Sequence, residues 1–109
     1  MRDRNLLALL RHEVWVERPE VAVVEGNPAR PRYAREEKAR RGLVQPLGGT
    51  LKMELAGKLP EATHVVYLEE PVEAADVVVW DAQRYEVQAC EDEGGQGHHW
   101  RAVVREDRH

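Results

Sequence analysis

Residues 77–90 read VVVWDAQRYEVQAC and predict a β-hairpin. The first four residues are apolar and mostly β-branched, which favours a strand. The next four, DAQR, are typical of a tight turn between two strands. Tyr85, Val87 and Ala89 then occupy alternate positions, so we expect their side chains to share one face of the partner strand.

Shorter strands are predicted on the N-terminal side of this hairpin. Val14 and Val16 alternate with polar or aromatic residues over residues 12–18, which indicates a first strand that Pro19 interrupts. Residues 42–45 predict a second strand, which Pro46 ends. A short N-terminal helix is predicted before the first strand, because Leu6 with Leu10 and Leu7 with Arg11 have the i, i+4 spacing of one helix face. Its four leucines are Leu6, Leu7, Leu9 and Leu10.

Two further strands complete the predicted fold. Residues 63–69 carry apolar side chains on both faces, so we expect both faces to be covered, and residues 98–105 follow a glycine-rich turn as the closing strand. Strands punctuated by turns, without alternating helices, predict a mainly β protein. We expect a small antiparallel β-barrel or sandwich with a short N-terminal helix and long loops, formed by residues 1–109 as a single domain.

The predicted long loops and the charge distribution single out one segment. Residues 26–42 lack an apolar stripe and predict a long basic loop, and residues 47–62 predict a second long loop. Residues 27–41 hold six basic and two acidic residues, a net charge of +4, whereas residues 61–93 hold ten acidic residues against Arg84 alone, a net charge of −9. The candidate functional residues are therefore the basic side chains of the first loop: Arg30, Arg32, Arg35, Lys38, Arg40 and Arg41.

The composition excludes several classes of chemistry. The sequence has no serine and no glycine-rich phosphate-binding motif, which excludes serine-based triads and argues against nucleotide hydrolysis. A single cysteine, Cys90, excludes an internal disulfide, and no apolar stretch is long enough to span a membrane. We expect a protein that is not an enzyme, has no cofactor, and is used inside the cell or in a particle assembled there.

Histidine, cysteine and tryptophan residues leave alternatives open. His98 and His99 would point to opposite faces of a strand, so they cannot bind one metal ion without recruiting other ligands. Cys90 is interpreted as a small apolar residue of a strand, with a Cys90–His98 nucleophile as the alternative. Three tryptophans, Trp15, Trp80 and Trp100, are interpreted as core residues in a chain without phenylalanine, with an aromatic platform for a partner as the alternative.

The C-terminal half resembles a known family of viral proteins. The relevant motifs are THVVYL at residues 63–68, ADVVVW at 75–80, RYEV at 84–87, and the glycine-containing turn that leads into Trp100. They resemble the head-tail joining proteins of tailed bacteriophages, also called head completion, stopper or adaptor proteins, over about residues 63–106. The turn of that family usually has a glycine after its aspartate; here Ala82 follows Asp81, which suggests a different turn type.

The resemblance implies a structural role in the virion. It implies a ring of identical subunits, with a portal or adaptor protein above and a tail protein below, and with genomic DNA passing through the channel non-specifically. It implies a virion protein assembled in the host cytoplasm, without membrane contact, whose basic side chains between residues 30 and 41 line the channel or contact a neighbouring subunit. The alternative is a small SH3-like or OB-like adaptor that binds a peptide or nucleic acid.

Overall fold

The computed structural model describes residues 10–20, 23–24, 27–28, 32–55, 57–93, 95, 97 and 99–107. Nine strands and one helix lie within these residues: β1 (His12–Glu20), β2 (Val23–Val24), β3 (Asn27–Pro28), β4 (Arg32–Arg35), β5 (Arg40–Pro46), α1 (Gly49–Leu55), β6 (His64–Leu68), β7 (Val77–Trp80), β8 (Gln83–Asp92) and β9 (Trp100–Glu106). Within the described residues, no helix is long and apolar enough to cross a membrane.

Six strands form a closed antiparallel barrel. Their order is β1-β5-β6-β9-β8-β7, and pairing of β7 with β1 closes the ring. The closing contact pairs Trp15, Val16 and Glu17 with Val79, Val78 and Val77. The prediction of a mainly β fold with a small antiparallel barrel is therefore confirmed.

Alternating apolar side chains fill the barrel. Val14 and Val16 of β1, Tyr85 and Val87 of β8, and Val66 of β6 point into one core, as their spacing in the sequence predicts. The remaining buried members of this core are Val44, Leu68, Val72, Val78, Ala102 and Val104. Strand β6 is covered on both faces, because its two neighbouring residues 65 and 66 are both buried.

A β-bulge in β8 changes which residues face the core. Val87 pairs with Val104, but the next paired residue is Ala89, opposite Val103, so the register shifts at this point. Beyond the bulge Cys90, rather than Ala89, packs against the core. The predicted alternation therefore holds for Tyr85 and Val87 and is wrong for Ala89, because one extra residue in a strand exchanges its faces.

The β7–β8 turn is of the kind that favours glycine. It is a two-residue connection between Trp80 and Gln83, which pair across the ladder. Asp81 and Ala82 both have positive φ, 52° and 61°. Positive φ at both central residues is typical of a type I′ hairpin turn, and Ala82 adopts a left-handed conformation that is unfavourable for a side chain with a Cβ atom.

The segments predicted as loops contain secondary structure. Residues 26–42, predicted as one long loop, include β3, β4 and the start of β5, and residues 47–62 include α1. Strand β1 continues through Pro19, which was predicted to interrupt it. The predicted N-terminal helix falls on residues that the structure does not describe, apart from Leu10 and Arg11, which are not helical; the helix that is present is α1.

Candidate interaction surface

Strand β4 lies at an open edge of an otherwise closed barrel. It pairs with Glu17–Glu20 of β1, and within the described residues its other edge has no partner strand. All four of its residues are exposed. An unpaired edge with exposed side chains is a surface on which another chain can add a strand.

The ladder shows which backbone groups of β4 point outward. The Glu36 N–H donates to the Val16 oxygen at 2.9 Å, so the backbone of residue 36 faces β1. Along an antiparallel strand, the backbone N–H and C=O groups of successive residues point alternately to one side and to the other. The backbone groups of Ala34 therefore also point toward β1. The N–H groups of Tyr33 and Arg35 therefore point to the open edge. The same alternation explains why a proline fits in β1. Pro19 pairs with Tyr33 at a position where β1 donates no backbone hydrogen bond to β4.

A buried carboxylate organises the side chains beside this edge. Glu17 is 7% exposed. Its Oε2 accepts hydrogen bonds from Arg35 Nε and Nη2 at 3.2 and 3.0 Å, and its Oε1 accepts one from Arg84 Nη1 at 2.6 Å. Glu17 therefore holds together two guanidinium groups that belong to β4 and β8.

Each guanidinium group also covers an aromatic ring. Arg35 lies 5.3 Å from the centre of the Trp15 ring, and Arg84 lies 5.4 Å from the centre of the Tyr33 ring. These distances are within the range of cation–π interactions. We call this group of five residues, Trp15, Glu17, Tyr33, Arg35 and Arg84, the Glu17 cluster.

The electrostatics of the cluster keep Glu17 ionised. Burial by itself would raise the pKa of this carboxyl. The hydrogen bonds from Arg84 and Arg35, together with their charges, outweigh burial and hold the pKa of Glu17 below its ordinary value. The cluster thus contains one negative and two positive charges at neutral pH.

A second ion-pair group fixes the chain where β4 leads into β5. Arg40 donates to both oxygens of Glu36, at 2.8 and 2.7 Å, and to the carbonyl oxygens of Glu70 and Pro71, at 3.2 and 3.3 Å. Hydrogen bonding to Arg40 lowers the pKa of Glu36 despite its burial. Arg40 therefore joins the start of β5 to the connection between β6 and β7.

The structure separates the six basic residues that the sequence singled out. Arg35 and Arg40 are engaged in the two ion-pair groups of this chain. Within the described part of the chain, no ion pair involves Arg32, Lys38 or Arg41, and all three are exposed. Arg30 lies outside the described residues.

The barrel carries an acidic hairpin on the wall that faces β1. Glu91 and Asp92 end β8, Glu93 follows, and Arg101 of β9 binds Glu91 at 3.0 Å and Glu93 at 3.6 Å. We call the described residues 91–93 and 99–101, whose strands pair at Glu91–Arg101 and Asp92–Trp100, the acidic hairpin. In a ring of six strands β9 is the third from β1 in either direction, so the two strands lie on opposite walls. β4 pairs with the C-terminal part of β1, and the acidic hairpin begins at the C-terminal end of β8. Because β1 and β8 run in the same direction, β4 and the acidic hairpin lie at the same end of the barrel.

The structure bears on the metal and nucleophile alternatives for the histidines and Cys90. No group of three or more His, Cys, Asp or Glu residues there could hold a metal ion. Burial raises the pKa of the Cys90 thiol, which disfavours the thiolate that a nucleophile needs. His98, its proposed partner, lies outside the described residues.

Trp15 and Trp80 have different environments, although none of the three tryptophans is fully buried. Trp80 packs against the core and stacks on His12, with ring centres 4.4 Å apart. Trp15 lies on the outer face beneath Arg35. The core interpretation therefore suits Trp80, and the platform alternative suits Trp15.

A solved structure is similar to this chain. It is the protein xkdH of the phage-like element PBSX from Bacillus subtilis, with a TM-score of 0.47 and 14% sequence identity over 88% of this chain and 93% of the other. No protein-family model matches the sequence, and no curated protein matches it.

Sequence reasoning missed the centre of the Glu17 cluster. Glu17 and Tyr33 were not singled out, and Arg84 was considered only in the DAQR turn, in the RYEV motif and as the lone basic residue of segment 61–93. A usable signal was present in β1, where Trp15 and Glu17 share the face opposite to Val14 and Val16. Nothing in the sequence shows that Arg84 reaches Glu17, because the two residues are 67 positions apart.

Proposed function

We propose that this chain is a structural virion protein of a tailed bacteriophage, a head-tail connector of the stopper or head completion type. It forms a ring below the portal, closes the DNA-filled head and provides a docking surface for the tail. Its partners are further copies of itself, a portal or adaptor protein above and a tail protein below. It acts without catalysis or a cofactor, and DNA passes it non-specifically.

The observation that carries this proposal is the opposite charge of two segments that lie on facing walls. Residues 32–41 contain five basic and two acidic residues, a net charge of +3, beside the open edge of β4. The acidic hairpin has three acidic side chains against Arg101 on the opposite wall. Two different complementary surfaces on one subunit produce head-to-tail contacts, and such contacts close into rings.

The sequence resemblance supplies the biological setting. Its motifs fall on β6, β7, β8 and β9, four consecutive strands of the barrel wall. Acidic side chains also suit a protein beside a DNA channel, because attraction to phosphate would retain the passing DNA.

The proposal is tested by assembling particles with and without the chain. Without it, filled heads should lose their DNA and remain tailless; with it, imaging of the portal vertex should show a ring. Tailed particles that retain DNA in the absence of the chain would refute the proposal. A particle supplemented with an unrelated small β-barrel protein serves as the control.

The Glu17 cluster supports a second candidate function, a small SH3-like or OB-like adaptor that binds a peptide. Exposed arginine and aromatic side chains beside an open strand edge suit an acidic peptide. An adaptor would bind such a peptide as a monomer and would be dispensable for head closure, so the same particle experiment separates the two functions.

A further inference from the structure

We infer that β4 is a self-recognition strand: its open edge, with the Glu17 cluster beside it, receives the acidic hairpin of a second copy of this chain. The inference rests on the proposed ring and identifies the residues that would join its subunits. Two independent observations meet beside β4: its outward backbone groups, and the guanidinium groups of Arg35 in β4 and Arg84 in β8.

Backbone pairing gives the contact its direction. The N–H groups of Tyr33 and Arg35 point to the open edge, since the hydrogen bond from Glu36 to Val16 sets the alternation. No backbone acceptor for either group occurs among the described residues. An extended segment from a second copy would accept these hydrogen bonds and continue the sheet beyond β4.

The side chains on the same face supply selectivity for acidic groups. Tyr33 and Arg35 lie on the face that carries Glu17, because Arg35 is the register partner of Glu17. Arg35 uses Nε and Nη2 for Glu17, and Arg84 uses Nη1, so each guanidinium group has further N–H donors beyond those that bind Glu17. A carboxylate can accept from such groups in a charge-assisted contact. Because Glu17 already holds both guanidinium groups, little side-chain entropy is lost on binding.

The acidic hairpin matches this surface in charge, spacing and position. Glu91 and Glu93 are two residues apart, which is the spacing of side chains on one face of a strand. The Glu91 side chain is 58% exposed although it contacts Arg101. The hairpin lies opposite β1 at the same end of the barrel as β4, so neighbouring copies related by rotation about a central axis bring the two surfaces together.

The backbone contribution is tested by two substitutions at one position. Tyr33→Pro removes an outward N–H group and the ring, whereas Tyr33→Val removes the ring and keeps the N–H group. Self-association of the purified full chain is measured by sedimentation over a concentration series at low ionic strength. We expect Tyr33→Pro to associate about tenfold more weakly than Tyr33→Val, which corresponds to one lost hydrogen bond.

The charge contribution is tested by matched pairs. Arg35→Gln and Lys38→Gln each remove one exposed positive charge, but only the first lies in the Glu17 cluster. Glu91→Gln and Glu73→Gln each remove one exposed negative charge, but only the first lies in the acidic hairpin. We expect Arg35→Gln and Glu91→Gln to weaken association about tenfold relative to their controls, and salt to weaken association of the unmodified chain.

Circular dichroism and thermal melting show whether each variant is folded before its association is interpreted. Equal association of Tyr33→Pro and Tyr33→Val, or of Arg35→Gln and Lys38→Gln, would overturn the inference. A chain that remains monomeric at about millimolar concentration, where even weak specific contacts form, would also overturn it. If rings are still seen at the portal vertex in that case, the proposed function stands and only the assignment of the interface fails.

Discussion

Replacement of Glu17 by glutamine should destabilise the barrel considerably more than replacement of a neighbouring exposed glutamate. The carboxylate accepts three hydrogen bonds from two arginines while being almost entirely buried. Glutamine keeps the shape and one acceptor oxygen, but its amide group places two N–H donors toward a guanidinium group. Strand β1 would then lose its ionic connection to β4 and β8.

The size of the effect follows from the exposure of the partners. Hydrogen bonds to charged groups contribute about 1.5–3 kcal/mol each when buried, whereas exposed ion pairs contribute about 0–1 kcal/mol. The Arg35 and Arg84 side chains are 48% and 38% exposed. Water therefore replaces part of the hydrogen bonding that the two guanidinium groups lose with the carboxylate. We expect a loss of about 2 kcal/mol, which lowers the Tm of a domain of this size by roughly 9 °C.

The assay compares the melting temperature of the Glu17→Gln variant with that of the Glu13→Gln variant. Glu13 lies on the same face of β1, is exposed and makes no ion pair within the described residues. Because folding lowers the pKa of Glu17, its stabilising effect is fully present above about pH 4.3, the ordinary pKa of glutamate in an unfolded chain. The effect is lost as the pH falls through the lower pKa of the folded state. A Glu17→Gln protein that melts within about 1 °C of Glu13→Gln, or a difference that does not shrink in acid, would refute this account of the cluster.

Four further predictions concern the turn, the core, one histidine and the cysteine. Ala82→Gly should stabilise the fold by about 1 kcal/mol in chemical denaturation, because glycine relieves the positive φ of 61°. Tyr85→Ala should lower the free energy of unfolding by about 3 kcal/mol or more, since the ring is in the core. His12→Leu should destabilise the fold by about 1–3 kcal/mol because the Val44 N–H, which donates to His12 Nδ1 at 3.0 Å, loses its acceptor. Cys90 should react with a thiol reagent about tenfold more slowly in the folded than in the unfolded chain, because burial raises its pKa.

Each of these predictions has a control within the chain. Ala34→Gly, at a strand position without positive φ, should destabilise the fold, and equal effects at positions 34 and 82 would contradict the turn argument. His12→Asn retains an acceptor near Nδ1 and should recover part of the stability lost in His12→Leu. An unchanged melting curve for Tyr85→Ala would exclude its place in the core, and equal labelling of folded and unfolded Cys90 would exclude its burial.

The strand pattern could be predicted because it depends on neighbouring residues. Val14 and Val16, or Tyr85 and Val87, are separated by one residue, and in an extended chain that spacing alone places their side chains on one face. Local chemistry did not reveal the bulge before Ala89, because the extra residue is recognisable only when β8 is paired with β9. The stability of a left-handed conformation at Ala82 is likewise decided by the hairpin around it.

The sequence by itself determined that this chain forms short antiparallel strands around a valine-rich core, because alternation and turn chemistry act over a few residues. It also determined the opposite charges of two segments. Only the tertiary structure decided that β7 pairs with β1 to close the barrel, that β4 remains at an open edge, and that Arg84 meets Glu17 across 67 positions. These contacts depend on the closure of long loops, whose outcome is set by the packing of the whole barrel rather than by any local preference.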